Sequence, residues 1–68
     1  MKNYINIEKH PLQPKTYLGY DQQGFAWCIE KSNSSFGDWC AVSKHYPNKH
    51  IFAFGLAGMS RKLSEFNA

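Results

Sequence analysis

Alternating apolar and polar positions in the first half of the chain predict antiparallel strands. Residues 15–20 and residues 24–31 both alternate, and the polar stretch between them ends in a glycine, which is typical of a hairpin turn. We expect this hairpin to pair Tyr20 with Phe25. Because side chains alternate along a strand, the following residues are then expected to share the core face: Leu18, Tyr20, Phe25, Trp27 and Ile29.

Two more strands are predicted further along the chain. Residues 32–37 are rich in serine and asparagine and predict a loop, and residues 38–44 predict the third strand. A turn at residues 46–49, which contains a proline and an asparagine, leads into a fourth predicted strand at residues 50–54.

The third strand has two possible registers. One register puts Cys40 and Val42 on the core face, and a shift by one residue puts Trp39 and Ala41 there instead, since such a shift inverts the whole strand. We favour the first register because it aligns the core side chains of this strand with Phe52 and Phe54 of the next one.

The C-terminal residues 56–66 predict a helix, because apolar residues recur at spacings of three and four. They are Leu56, Met59, Leu63 and Phe66. Residues 1–14 are interrupted by prolines and predict an N-terminal arm, and residues 15–54 hold the strands. The predicted fold is one small α+β domain over residues 1–68. It is an antiparallel meander of three to four strands with one C-terminal helix packed on one face.

In this arrangement the sheet face away from the helix is largely apolar, whereas the outer face of a one-sided sheet is normally polar. The residues expected there include Tyr17, Ala26, Cys28, Trp39, Ala41, Ile51 and Ala53. Either the arm covers this face with Tyr4, Ile5 and Ile7, or the face is an interface with a second copy or another protein. The pattern leaves both interpretations open.

Composition places the chain among small folded proteins. Apolar residues make up 43% of its 68 residues, too many for a disordered chain, and the net charge of +3 permits weak attraction to nucleic acid. No apolar run is long enough to cross a membrane, and the first residues lack the apolar stretch of a signal peptide. We therefore expect a complete, cytoplasmic protein with reduced cysteines and no membrane partner.

Basic residues surround the predicted turn that carries Tyr46. Lys44 and Lys49 could contact phosphates while the tyrosine ring stacks on a base. Alternatively, these charges only keep the turn hydrated and discourage aggregation at the strand ends. The second interpretation is favoured, because the chain contains a single arginine, Arg61, and nucleic-acid readers depend strongly on arginine.

Neither a metal site nor a catalytic site is predicted. Cys28, Cys40, His45 and His50 are residue types that zinc accepts, but they lack the closely spaced ligand pairs of structural zinc sites. In the shifted register Cys28 would lie opposite Cys40, yet the expected compartment argues against a disulfide. The acidic residues are scattered, and no nucleophile elbow or phosphate loop accompanies them, so we expect a protein without enzymatic activity or cofactor.

The sequence therefore favours a small non-catalytic protein-binding module. Phages and mobile elements encode many proteins of this size, including inhibitors and modulators of host enzyme complexes such as defence systems, and we expect this chain to be one of them. Self-association is a further expectation, and the alternative is a small basic nucleic-acid-binding protein that uses the hairpin at residues 44–50. The predicted partner-binding residues are Trp39, Tyr17, Ile51, Tyr46, Lys44 and Lys49.

Overall fold

A computed structural model describes residues 6–66, which form a five-stranded antiparallel sheet and one C-terminal helix. The elements are β1 (Ile7–Lys9), β2 (Tyr17–Tyr20), β3 (Ala26–Ser34), β4 (Gly37–Ser43), β5 (Tyr46–Ala53) and α1 (Gly55–Glu65). Strands that follow each other in the chain are neighbours in the sheet, so the sheet is a meander. The predicted α+β class and C-terminal helix are confirmed, but the predicted three to four strands are too few.

The two faces of the sheet differ in what covers them. Helix α1 packs on one face, the helix face, whose strand residues include Ile7, Tyr17, Gly19, Trp27, Ile29, Trp39, Ala41, Ile51 and Ala53. The opposite face, the open face, carries the alternate strand residues Glu8, Leu18, Tyr20, Ala26, Cys28, Glu30, Cys40, Val42, His50 and Phe52. The residue pairings between neighbouring strands assign each of these residues to its face.

The additional strand comes from the predicted arm. In β1, Ile7 lies opposite Gly19 of β2. Just before it, the side-chain amide of Asn6 donates hydrogen bonds to the carbonyl oxygens of Tyr20, at 3.2 Å, and Ser60, at 3.0 Å. Residues 6–9 therefore extend the sheet at one edge and join it to the helix, and Ile7 lies on the helix face. The predicted contacts of Tyr4 and Ile5 with the second face lie outside the described residues.

The β2–β3 hairpin differs by one residue from the predicted register. Tyr20 pairs with Ala26, not with Phe25, so the loop spans five residues and Phe25 lies outside the ladder. A shift of one residue inverts a strand relative to its neighbour, and it moves Leu18 and Tyr20 to the open face. Two predicted core residues of β3 remain on the helix face, where both are fully buried: Trp27 and Ile29.

A single carboxylate holds this five-residue loop. One oxygen of the buried Asp21 accepts hydrogen bonds from the backbone N–H groups of Gln23, at 2.9 Å, and Phe25, at 3.0 Å. The other oxygen accepts from the indole N–H of Trp27 at 3.0 Å. Gly24 completes the loop with a φ of +88°, in the left-handed region that glycine favours.

These hydrogen bonds also set the acidity of the carboxyl group. Burial by itself raises the pKa of Asp21, but the hydrogen bonds from Trp27 and from the backbone of Phe25 and Gln23 outweigh it and lower the pKa below its ordinary value of 3.8. The ionised carboxylate is therefore favoured by folding.

The favoured register of β4 is wrong. Ala41 lies opposite Ile29 and Trp39 opposite Lys31, so that Trp39 and Ala41 belong to the helix face. A short turn between Ser34 and Gly37 replaces the predicted six-residue loop, with an irregularity in the pairing between Lys31 and Ser34. Glycine is needed at the start of β4, because a Cβ atom at Gly37 would collide with the backbone of Ala53. Because Trp39 and Ala41 lie on the helix face, the alternate residues Cys40 and Val42 lie on the open face.

Strand β5 begins earlier than predicted. The turn that precedes it consists of Lys44 and His45, and the predicted turn residues 46–49 belong to the strand. Val42 lies opposite His50, whereas Ser43 lies opposite Tyr46, so β5 bulges over the residues between these two pairs. Beyond the bulge, the helix face receives Ile51 and Ala53 in place of the predicted Phe52 and Phe54.

The core lies between α1 and the centre of the helix face. Met59 and Leu63 of the helix are fully buried, as their spacing predicts, and they pack with Trp27, Ile29, Ala41 and Ala53. The helix begins where the backbone N–H of Gly55 donates to the carboxylate of Asp38 at 2.8 Å. The predicted helix at residues 56–66 agrees with α1 to within one residue. Within residues 6–66, no helix is long and apolar enough to span a bilayer.

We predict that Asp21→Asn lowers stability in a pH-dependent way. At neutral pH the variant should lose about 1 to 3 kcal/mol, because an amide cannot accept from all three donors. As the pH falls below 3.8, the unfolded wild-type chain takes up the proton before the folded chain does, so the advantage of the carboxylate declines.

Urea unfolding of both proteins at about pH 7 and about pH 3 measures this difference. The gap between wild type and variant should narrow at the lower pH. A gap of the same size at both values would show that the ionised carboxylate is not what stabilises the loop.

Candidate protein-binding surfaces

Three predicted partner-binding residues lie together, but on the helix face. The rings of Tyr17 and Trp39 meet edge to face with centroids 5.6 Å apart, and the ammonium group of Lys31 lies 4.9 Å from the centre of the Trp39 ring. Ile51 is part of the same partly buried layer around the core. Their predicted contact with a partner rested on placement on the outer face, and that placement is wrong.

The basic turn places its residues in two different environments. Tyr46 is partly buried: its ring stacks on Trp27 at 5.8 Å and meets Phe66 at 5.1 Å, and its hydroxyl donates to Gln23 at 2.8 Å. The tyrosine ring is therefore engaged in the core and not available to stack on a base.

The charged residues around this turn point into solvent. Lys44, Lys49 and His50 are exposed, while the exposed ring of His45 stacks on Phe25 at 3.9 Å. A shallow, mostly apolar depression of about 520 Å³ opens beside the turn. It is lined by Ala26, Trp27, Cys28, Val42, Ser43, Lys44 and His45.

One row of side chains crosses the open face from edge to edge. The pairings of all five strands place Glu8, Leu18, Cys28, Val42 and His50 side by side, and we call this set the cross-strand row. Its ends are ionisable and its centre is apolar, with Val42 42% exposed. The expectation of an unusually apolar second face thus holds for the centre of the row, although most of the predicted residues lie on the other side.

The acidic end of this row is held by a neighbouring phenol. The hydroxyl of Tyr20 donates to the carboxylate of Glu8 at 2.8 Å. This hydrogen bond, with smaller contributions from burial and from the negative charge of Glu8, raises the pKa of Tyr20 above its ordinary value of 10.0. The carboxylate therefore has a fixed position at the β1 edge.

A second, shorter row runs beside the first and consists of Glu30, Cys40 and Phe52. Burial raises the pKa of the Cys40 thiol above its ordinary value of 9.0, and the negative charge of Glu30 raises it further. Cys28 lies opposite Val42, so the two free cysteines are diagonal neighbours and not directly opposed. A disulfide between them would require the backbone to move.

The largest exposed rings lie at one corner of the sheet. Phe36, in the β3–β4 turn, is 73% exposed, and Phe54, which precedes α1, is 67% exposed. Phe52, two residues before Phe54 in the chain, contacts Phe36 with ring centroids 6.1 Å apart. These three residues form the phenylalanine corner. Sequence reasoning missed it, and the available signal was an aromatic residue within a turn rich in serine, at Phe36.

Groups of ligand-type side chains are sparse in the described part of the chain. Residues 6–66 contain no cluster of three or more His, Cys, Asp or Glu residues placed to hold a metal ion. The absence of a metal from the protein remains a prediction. The comparisons with known proteins do not change this picture: no family model, no curated protein and no solved structure matches the chain.

We predict that Glu30, in addition to burial, lowers the reactivity of Cys40. In a Cys28→Ser background, alkylation of Cys40 by iodoacetamide should show an apparent pKa above 9.0, since only the thiolate reacts. Glu30→Gln should shift this profile to lower pH. Glu8→Gln, which removes a carboxylate from another part of the same face, is the matched control and should leave the profile in place. Identical profiles for all three proteins would contradict the placement of Glu30 beside Cys40.

Proposed function

We propose that this protein is a small non-catalytic protein-binding module whose contact surface is the phenylalanine corner. The observation that carries this proposal is the exposure of Phe36 and Phe54, which are 73% and 67% accessible at one end of a five-stranded sheet. Large apolar surface left in contact with water is costly, and such patches mark sites where another protein docks. Phenylalanine rings fill pockets on a partner with little loss of side-chain entropy.

The charges of the open face favour a protein partner over a nucleic acid. Glu8 and Glu30 project from this face, and none of its paired residues within the described part of the chain is Lys or Arg. Fixed carboxylates repel phosphates, whereas a base-stacking sheet needs positive charge beside its aromatic rings. The lysines that could supply this charge, Lys44 and Lys49, surround the β4–β5 turn at the opposite end from Phe36 and Phe54.

The biological role that we propose is inhibition or modulation of a larger enzyme complex. A domain of 68 residues without a recognised site can act by occupying a surface that its target needs. Phages and mobile elements encode many small proteins that act on host enzyme complexes in this way, including defence systems. The phenylalanine corner would be the anchor, because large buried side chains dominate the energetics of protein interfaces.

The second candidate is binding of nucleic acid by the hairpin at residues 44–50. It is supported by the exposure of Lys44, His45, Lys49 and His50 around one turn. Tyr46 is partly buried and its ring packs on Trp27 and Phe66, so contact with nucleic acid would be limited to phosphates.

We predict that binding to the partner depends on the corner and not on exposed apolar residues in general. Tagged wild-type protein should retain a specific protein from an extract of the host cells, and the double variant Phe36→Ala and Phe54→Ala should weaken this binding at least about tenfold. Leu12→Ala is the matched control, because Leu12 is 86% exposed but lies in the β1–β2 loop, at the opposite edge of the sheet from Phe54. Binding should survive nuclease treatment and respond little to salt.

The same experiment also tests whether the protein binds nucleic acid. Loss of binding after nuclease treatment, a steep decrease with salt, and sensitivity to Lys44→Ala and Lys49→Ala would instead support the second candidate. If the double phenylalanine variant binds as strongly as Leu12→Ala, the corner is not the contact surface.

A further inference from the structure

The cross-strand row has an order that is complementary to itself. It begins with the carboxylate of Glu8 at one edge of the sheet, passes through Leu18, Cys28 and Val42, and ends with the imidazole of His50 at the other edge. Read in the opposite direction, the same row places a histidine where the carboxylate was and apolar residues in the middle. A surface with this property can pair with a copy of itself, as an isologous interface requires.

We propose that the open face binds a second copy of this chain, related by a two-fold axis that runs parallel to β3 and passes beside Cys28. Rotation about this axis reverses the cross-strand row and leaves positions along the strands unchanged. Glu8 of each copy then faces His50 of the other copy, and Leu18 faces Val42. The two Cys28 side chains face each other across the axis.

Two axes in the plane of the interface are compared, one along the cross-strand row and one along β3. The positions of Glu8 and His50 favour the axis along β3. An axis along the row itself would place Glu8 opposite Glu8 and His50 opposite His50, and like charges at a contact are unfavourable. The axis along β3 instead gives two contacts between a carboxylate and an imidazole, which can donate an N–H group to it. The same choice stacks apolar residues at the centre, where the two sheets pack about 10 Å apart.

Association through the sheet edges is a weaker alternative. Strand β1 has only three residues, and β5 carries Pro47 and Lys49 in its bulge, which are features that discourage edge pairing. In addition, the ammonium group of Lys62 donates to the carbonyl oxygen of Phe52 at 2.7 Å, so this acceptor of β5 is already occupied. Among residues 6–66, the open face is the larger surface that no other element covers.

The size of the open face limits the area that a dimer can bury. The molecule measures 29 by 26 by 22 Å, so its broadest face offers at most about 750 Å² per copy, close to the lower range of stable interfaces. We therefore expect a weak dimer that forms with increasing concentration. Because the rotation leaves the ends of the strands in place, Phe36 and Phe54 of both copies lie at the same end of the dimer, beyond the cross-strand row.

Charge reversal tests the pairing of Glu8 with His50. Sedimentation equilibrium at about pH 6 should show a monomer–dimer equilibrium for the wild type up to millimolar concentration. Glu8→Lys and His50→Glu should each weaken the dimer at least about tenfold, and the double variant should restore it to near the wild-type strength. Glu65→Lys, the same charge change at an exposed position of α1, should have no effect.

Several results would overturn the proposal. They are a wild type that remains monomeric at all concentrations, a double variant no stronger than the single variants, and an equal effect of Glu65→Lys. Circular dichroism melting curves identify any variant that fails to fold. If a charge variant does not fold, the proposal is tested by cross-linking through Cys28, described next, because that experiment keeps the native charges.

Cross-linking locates the axis. With Cys40→Ser, a short bismaleimide should join two chains through Cys28, whereas Cys28→Ser protein, which retains Cys40, should give little product. The reverse pattern, or no product from either protein, would contradict the proposed axis. Phe36→Ala and Phe54→Ala should leave the dimer intact, so that failure of self-association and failure of partner binding are read from different variants.

Discussion

The carboxylate of Asp21 is the contact that orients the sheet. It accepts two backbone N–H groups of the β2–β3 loop and the indole N–H of Trp27, the largest fully buried side chain. A loop held in this way takes Phe25 out of the ladder and pairs Tyr20 with Ala26. Trp27 is then fixed beneath α1, and the pairings of β3 with β4 and of β4 with β5 place Ala41 and Ala53 on the same face.

The two surfaces with candidate functions are consequences of that orientation. Because the tryptophans and small residues such as Ala41 and Ala53 lie on the helix face, the open face carries a row whose ends are ionisable and whose centre is apolar. The phenylalanines of β5 and of the β3–β4 turn cannot reach the core from this side. They remain in water at one corner, where the proposed partner would cover them.

The helix could be predicted because its information is local: Met59 and Leu63 recur at helical spacing and are both buried. Strand positions could be predicted approximately for the same reason. The registers could not, because they depend on contacts that alternation does not contain, such as the Asp21 carboxylate holding Phe25 or the close approach of Gly37 to Ala53. The misassigned β2–β3 hairpin exchanged the predicted faces of β2, while Trp27 and Ile29 stayed on the predicted face. A separate error in the β3–β4 register placed Trp39 on the wrong surface.

The register of the β2–β3 hairpin is the most direct test of this explanation. Interstrand nuclear Overhauser effects between backbone protons, measured on the wild-type protein by NMR, report which residues lie opposite each other. If Asp21 holds a five-residue loop, the contacts will connect Tyr20 with Ala26 and Leu18 with Cys28. Contacts that instead connect Tyr20 with Phe25 and Leu18 with Trp27 would show a four-residue loop, and the assignment of β1 and β2 residues to the two sheet faces would then be wrong.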